Sequence, residues 1–158
     1  MLNIRLASAA DVDALWPLKA ALHNQHVQQR PDFFKPMKRA DVVAWLQKRL
    51  SEEATHVWMA EDRGMLAGYA LATRREREET SYSLRRQWCE IDEVFVDTPY
   101  RRRGVARVLM ARVIAHAREL GLDSIELATW AFNEHAHAAF SRLGFQQMLV
   151  RYQLGTGP

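Results

Sequence analysis

Apolar and polar positions change period several times along the chain, and each change marks an element. Leu2 to Ala7 alternates as a first strand, and Ser8 with Asp11 three residues on resembles a capping box that opens a helix. That helix turns Val12, Leu15, Leu18 and Leu22 inward, and Pro17 inside it is expected to bend or interrupt it. Gln28 to Met37, with Pro31, Phe33, Phe34 and Pro36, reads as a loop. A second helix carries Val42, Val43, Leu46 and Leu50 at helical spacing. Two strands follow, Thr55 to Glu61 and Leu66 to Thr73, joined as a hairpin across Asp62, Arg63 and Gly64.

The mixed-charge run RREREET from Arg74 to Thr80 reads as a solvated strand end or loop, and a strong strand from Trp88 to Val96 comes after it. The period then becomes helical, with Val105, Leu109, Val113, Ala117 and Leu120 on one stripe and Gly121 as C-cap. A strand from Leu122 to Trp130, a helix from Asn133 to Leu143 and a last strand from Phe145 to Leu154 complete the pattern. The order β-α-α-β-β-β-α-β-α-β predicts an α/β fold, a mixed sheet with helices on both faces.

Composition adds limits. A chain of 158 residues with no internal repeat or linker-like stretch reads as one domain, 1–158, and buries roughly 70% of its unfolded surface, enough to be stable without staples. The single cysteine, Cys89, has no partner within the chain and reads as a packed strand residue. No apolar stretch approaches the ~20 residues of a membrane span, and the opening MLNIRLASAADVD lacks the apolar run of a secretory signal. A cytoplasmic protein with no membrane contact is the expectation. The net charge of +3 is mild, and acidic residues interleave with the arginines around residue 75, which speaks against a nucleic-acid partner. His23 and His26 share a helix face, but no third ligand accompanies them, so no metal is expected.

Four arginines, Arg101, Arg102, Arg103 and Arg107, crowd around Gly104 in VFVDTPYRRRGVARVL, which reads as strand, tight basic turn and helix start. Such a turn aims free backbone N–H groups and the helix dipole at one place, where an anion belongs. Gly104 removes a Cβ from the approach, Ala106 keeps the next contact small, and the arginines add charge-assisted bonds. The Walker spelling is absent, and the dinucleotide fingerprint fails because Gly104 is followed by Ala106 and Leu109 where two glycines belong.

What remains, Arg101, Gly104 and Ala106 after a strand ending in valine, resembles the GNAT superfamily of N-acetyltransferases, whose cofactor motif is Gln/Arg-x-x-Gly-x-Gly/Ala. Asn133, Ala136, Phe140, Gly144 and Phe145 repeat the family's downstream spacing, and IRLASAADVDAL looks like its opening strand and helix. The resemblance implies a mostly antiparallel central sheet splayed at two parallel strands, with acetyl-CoA as acyl donor in the gap. It implies that the amides of Arg102, Arg103, Gly104, Val105 and Ala106 hold the pyrophosphate, flanked by Arg101 and Arg107. The segment Val94, Phe95 and Val96 would run along the pantetheine arm, and Asn133 would bond to that arm from the other side. Phe140 departs from the pattern, because many relatives have a tyrosine there that gives a proton to the departing thiolate.

An alkyl amine of pKa ~10.4 must lose a proton before it can attack, at a cost of about 4–5 kcal/mol at neutral pH. Asp92 and Glu93 in EIDEVFV are the candidates to take it, Glu93 contacting substrate and Asp92 acting as base through water. Adjacent strand residues face opposite ways, so both reach one cleft only if the strand carries a bulge. The plain alternative is that either is a surface or salt-bridged carboxylate. The expected function is an acetyl-CoA-dependent N-acetyltransferase acting on a small-molecule or peptide amine by direct attack in a ternary complex. The acidic strand favours a polyamine, diamine or lysine-like acceptor, and open helix and strand edges allow a homodimer. A non-catalytic acyl-CoA-binding or regulatory module is the alternative.

Overall fold

The computed structural model describes residues 1–157, which form two compact units, Met1–Leu127 and a second that begins at Ala128. The first unit is built on a five-stranded sheet in the order β1-β2-β3-β4-β5. β1 (Leu2–Leu6), β2 (Thr55–Asp62), β3 (Met65–Arg77) and β4 (Arg86–Val96) pair antiparallel in succession, and β5 (Ser124–Leu127) joins β4 in parallel. This is the mixed, mostly antiparallel sheet the pattern and the resemblance implied.

The β2–β3 hairpin turns on Arg63 and Gly64, both with positive φ (51° and 78°), the backbone a two-residue turn of this kind needs. Ser8 and Asp11 form the capping box, opening a short 3₁₀ turn that leads into α1 (Val12–Gln29). Of the bend or interruption expected at Pro17, the interruption does not occur: α1 runs through it. It lies on the exposed side of the helix near its start, where the absent N–H costs one bond.

α2 (Arg39–Ser51) lies with α1 on one sheet face, where Val12, Leu15, Val42 and Leu46 close a core over Val57, Met59, Tyr69, Leu71 and Phe95. α3 (Val105–Glu119) covers the other face with Val105, Leu109, Met110, Val113 and Ala117. By strand alternation that face presents the small residues Ala60, Gly68, Ala70 and Ala72, which let the helix approach closely. A Cβ on Gly68 would stand 2.5 Å from the Phe95 carbonyl oxygen, so this glycine sets how near β3 and β4 can come beneath the start of α3.

In the second unit, Asn133 caps α4 (Glu134–Arg142) by accepting from the Ala136 N–H at 3.2 Å. Phe140 meets Phe145 edge-on, with ring centroids 5.9 Å apart. The strand expected from Phe145 to Leu154 is absent: no residue from 145 to 157 takes part in a strand or bridge. Its alternating pattern supplies the side chains of a strand, but a strand also needs a backbone partner.

Candidate active site

The site is laid out by β4. Trp88 to Ile91 pair with Ser124 to Leu127, and beyond Ile91 no strand among the described residues lies along the β5 side of β4. At the same place the β3–β4 register slips: Leu71 faces Glu93 and Ala72 faces Ile91, so Asp92 is the extra residue of a bulge. The bulge that would let both carboxylates reach one face is therefore present. Asp92 bonds to Arg49 of α2 and Glu93 to Lys19 of α1, so both point to the α1–α2 side.

Each carboxylate is already paired. Glu93 forms an ion pair with Lys19 and accepts a hydrogen bond from the Tyr69 hydroxyl at 2.8 Å, and the two charged side chains are only 12% and 10% exposed. The Lys19 ammonium also lies 4.1 Å from the centroid of the Trp45 ring, a cation–π contact in a largely dry setting. Burial first, and then the charge of Glu93, push the Tyr69 hydroxyl well above its ordinary pKa, so it stays a donor. Asp92 accepts through Oδ2 from Arg49 at 3.0 Å and from the Thr73 hydroxyl at 2.5 Å, and through Oδ1 from Arg75 at 3.2 Å. The acidic strand is thus not a free anionic surface. Lys19, Arg49 and Arg75 counter it.

Lys19, Tyr69, Arg49 and Thr73 escaped the sequence reading. Lys19 alone left a signal, a charged residue four positions after Leu15 on the inward stripe of α1. His26, two turns further along, has its imidazole pKa lowered, by burial and then by Lys19. It stacks on Phe34 at 5.3 Å, while His23 bonds to the Lys35 carbonyl at 2.7 Å, so both histidines fix the loop after α1. Cys89 is buried in β4, and desolvation with the nearby Asp92 and Glu90 pushes its thiol up to about 11, which makes it inert at neutral pH.

β4 runs into the basic turn. Asp97 accepts from the Thr98 N–H at 2.8 Å and starts a 3₁₀ turn over Thr98–Tyr100, and the chain then enters α3 through Arg102 (φ 60°) and Gly104 (φ 81°). Left-handed residues at these two points curl the backbone into a nest that turns successive amides inward. The amides of Val105, Ala106 and Arg107 precede the first bond of α3, from the Val108 N–H to the Gly104 carbonyl at 3.1 Å. A Cβ on Gly104 would meet nothing within 4 Å, so its backbone angle and the open space above it, not a protein neighbour, require the glycine.

Arg101, Arg102, Arg103, Ala106 and Arg107 are all exposed around this nest, while the Val105 side chain is buried under it. Arg101 is anchored by Nε to the Val96 carbonyl at 3.1 Å, and Arg103 lies over the Tyr100 ring at 5.8 Å. Val94 and Val96 are half-buried on the stretch of β4 that pairs with β3 alone, whereas the Phe95 side chain belongs to the core. Amides at a helix start ringed by arginine are chemistry suited to a phosphate-bearing ligand.

The model of the acetyltransferase (GNAT) family matches residues 20–145, and the chain belongs to that family. Among characterised relatives, N-acetyltransferase 8 of Homo sapiens is 29% identical over 98 residues, covering 62% of this chain and 41% of that protein. N-acetylaspartate synthetase of Danio rerio is 28% identical over 109 residues, 69% of this chain and 35% of that protein. The chain thus spans well under half the length of these relatives. Among solved structures, a point mutant of the BH1408 protein from Bacillus halodurans superposes with a TM-score of 0.91 at 23% identity over 97% of this chain and 98% of that one. The aminoglycoside N-acetyltransferase AAC(6')-Iy in complex with CoA superposes at 0.77 and 19% identity over 98% and 95%. At these identities the likeness shows the fold. No described helix is long and apolar enough to cross a membrane.

Proposed function

We propose that this chain is an acetyl-CoA-dependent N-acetyltransferase that acts on a primary amine by direct attack in a ternary complex. The observation that carries the reading is continuity: one strand, β4, loses its β5 partner at Ile91, bulges at Asp92 and ends in the arginine-ringed nest before α3. The amides of Arg102 to Ala106 bind the pyrophosphate, Arg101 and Arg107 add charge, and the backbone of Val94 to Val96 holds the pantetheine arm as a further strand would. By the family resemblance, Asn133 is a further candidate to bond to the pantetheine arm. Acetyl-CoA, when bound, supplies the thioester carbon that the amine attacks.

Asp92 is the proton acceptor in this reading. Each carboxylate oxygen has two lone-pair sites, and Asp92 Oδ1 accepts one bond, from Arg75. Its side chain is 21% exposed against 12% for Glu93, so a water can reach Asp92 more readily. Glu93, locked by Lys19 and Tyr69, holds the bulge and the cleft wall beside the acceptor. Phe140 has no proton to give, and a thiol of pKa near ~8.5 leaves without a dedicated acid at that position.

Two measurements test this. Acetyl-CoA at one hundred times its dissociation constant should stabilise by about 2.7 kcal/mol and raise the thermal midpoint by roughly 5–10 °C, with ATP and NAD giving no such rise. Thiol release over a panel of primary amines should identify a substrate, and Asp92→Asn should lower kcat by ~10²–10⁴ while leaving the acetyl-CoA shift intact. A shift with acetyl-CoA but no thiol release with any amine would mean a binding module instead.

A further inference from the structure

The sheet face that carries Asp92 continues away from the bulge as a strip on which the charges are sorted. Thr73 of β3 bonds to both Asp92 and Arg49, so it lies on the α1–α2 side, and strand alternation puts Arg75 and Arg77 on that side too. The β3–β4 register sets Glu90 opposite Thr73, Trp88 opposite Arg75 and Arg86 opposite Arg77. Acids, Asp92 and Glu90, therefore stand at the bulge end of the strip, and arginines, Arg75, Arg77 and Arg86, at the other. The arginine end is open to solvent, with the Arg75 side chain 44% exposed and Arg77 exposed.

Most of these groups are engaged, and Arg75 is the one with donors to spare beside Asp92. Glu90 accepts from the Trp88 indole N–H at 3.0 Å, and Arg86 pairs with Glu126 while its guanidinium lies 4.5 Å from the centroid of the Trp88 ring. Arg49 is 15% exposed and divides its donors among Glu52, Thr73 and Asp92. Arg75 gives Asp92 Oδ1 a single bond, at 3.2 Å, and a guanidinium has five N–H donors. Arg77 stands opposite the like charge of Arg86 and, among the described residues, pairs with no carboxylate. Like charges directly opposite one another destabilise a sheet, so this end of the strip attracts an anion.

We propose that the acceptor is an α-amino acid, held with its amine at Asp92 and its carboxylate on the outward donors of Arg75, which makes Arg75 the residue that selects it. The inference rests on the acetyltransferase reading with Asp92 as proton acceptor, and it adds what else the acceptor carries. An α-amino acid has its amine and carboxylate on one carbon, which matches a carboxylate and a guanidinium already in contact. A planar guanidinium takes a carboxylate through two parallel bonds, and Arg77 and Arg86 add positive potential behind it. A polyamine would instead bring its second cation against Arg75. The transfer itself is unchanged: an amide N–C bond forms, the thioester C–S bond breaks, the amine proton passes to Asp92 and coenzyme A leaves as the thiol.

The test is thiol release by the full chain from acetyl-CoA with α-amino acids, each beside its amide and its decarboxylated amine, and with diamines. The acids should be preferred by about 10²-fold in kcat/KM, because Arg75 gains a charged partner only from them. Arg75→Gln should shrink the ratio of acid to amide at least about tenfold, and Arg75→Lys should restore part of it. Arg74→Gln, on the α3 face of the same strand, should leave the ratio as it is. The ratio is the readout because Arg75 also touches Asp92, and a change at the base falls on both acceptors alike. With coenzyme A present, the amino acids and not their amides should raise the thermal midpoint further. Amides or diamines used as well as the acids overturn the proposal, and so does a ratio that Arg75→Gln leaves alone. Release with amides or diamines only would refute recognition of a carboxylate and leave the acetyltransferase reading standing, whereas no release with any amine refutes both.

Discussion

Replacing Lys19 by methionine isolates the ion pair that holds Glu93 beside the β4 bulge. Methionine keeps the length of the side chain and its packing on Trp45, but among the described residues it leaves the Glu93 carboxylate with the Tyr69 hydroxyl alone, in a setting where 12% of the side chain meets water. Breaking one half of a buried ion pair costs about 3–5 kcal/mol, because the remaining charge stays desolvated. For a domain of this size each kcal/mol moves the midpoint by roughly 2–4 °C, so Lys19→Met should unfold on the order of 10 °C lower. The companion variant Glu93→Gln with Lys19→Met removes both charges and keeps an acceptor for Tyr69, and it should recover most of the loss. The assay is denaturant unfolding of the two single variants and the double, with a coupling energy of at least about 2 kcal/mol expected from the cycle. If Lys19→Met costs under about 1 kcal/mol, or the two losses simply add, Lys19 and Glu93 do not act as a buried pair.

Two glycines should respond to alanine in opposite ways. Gly68→Ala drives a Cβ to 2.5 Å from the Phe95 carbonyl and should destabilise by about 3 kcal/mol in urea unfolding, whereas Gly104→Ala meets only its φ of 81°, costing about 1 kcal/mol, and should mainly shrink the acetyl-CoA-dependent rise in midpoint. Acidification should weaken the fold through His26, His56 and His116, each pushed below its ordinary value of 6.5, by burial first. His56 and His116 face each other at 4.4 Å beside Trp58, with Arg112 and Arg74 adding repulsion and Glu119 opposing it. Because the unfolded chain then binds more protons than the folded one, stability is full above pH 6.5 and falls as the pH drops below it, and a variant with His56→Asn and His116→Asn should flatten that slope.

The backbone of the proposed cofactor end was legible because conformation is written locally. Gly104 is needed for a left-handed angle, the helix begins one residue later, and three arginines precede it, so seven neighbouring letters carry the nest. The bulge was legible for a similar reason: two adjacent carboxylates can share a face only if the strand gains a residue, and the register shows Asp92 as that residue. The charge state of the cleft was not legible. Lys19 and Glu93 stand 74 positions apart and Arg49 and Asp92 stand 43 apart, and no local pattern says which cation of many will meet which acid.

The same distinction explains Pro17 and residues 145–154. A proline rule assumes that the missing N–H and the ring clash decide the helix, but near the start of an 18-residue helix whose inward side chains are packed in the core, tertiary burial outweighs one lost bond. The period-two pattern of 145–154 assumes the reverse, that side-chain preference is enough. Each unpaired N–H and C=O of a strand has to find a partner, and within the described chain this segment finds no ladder.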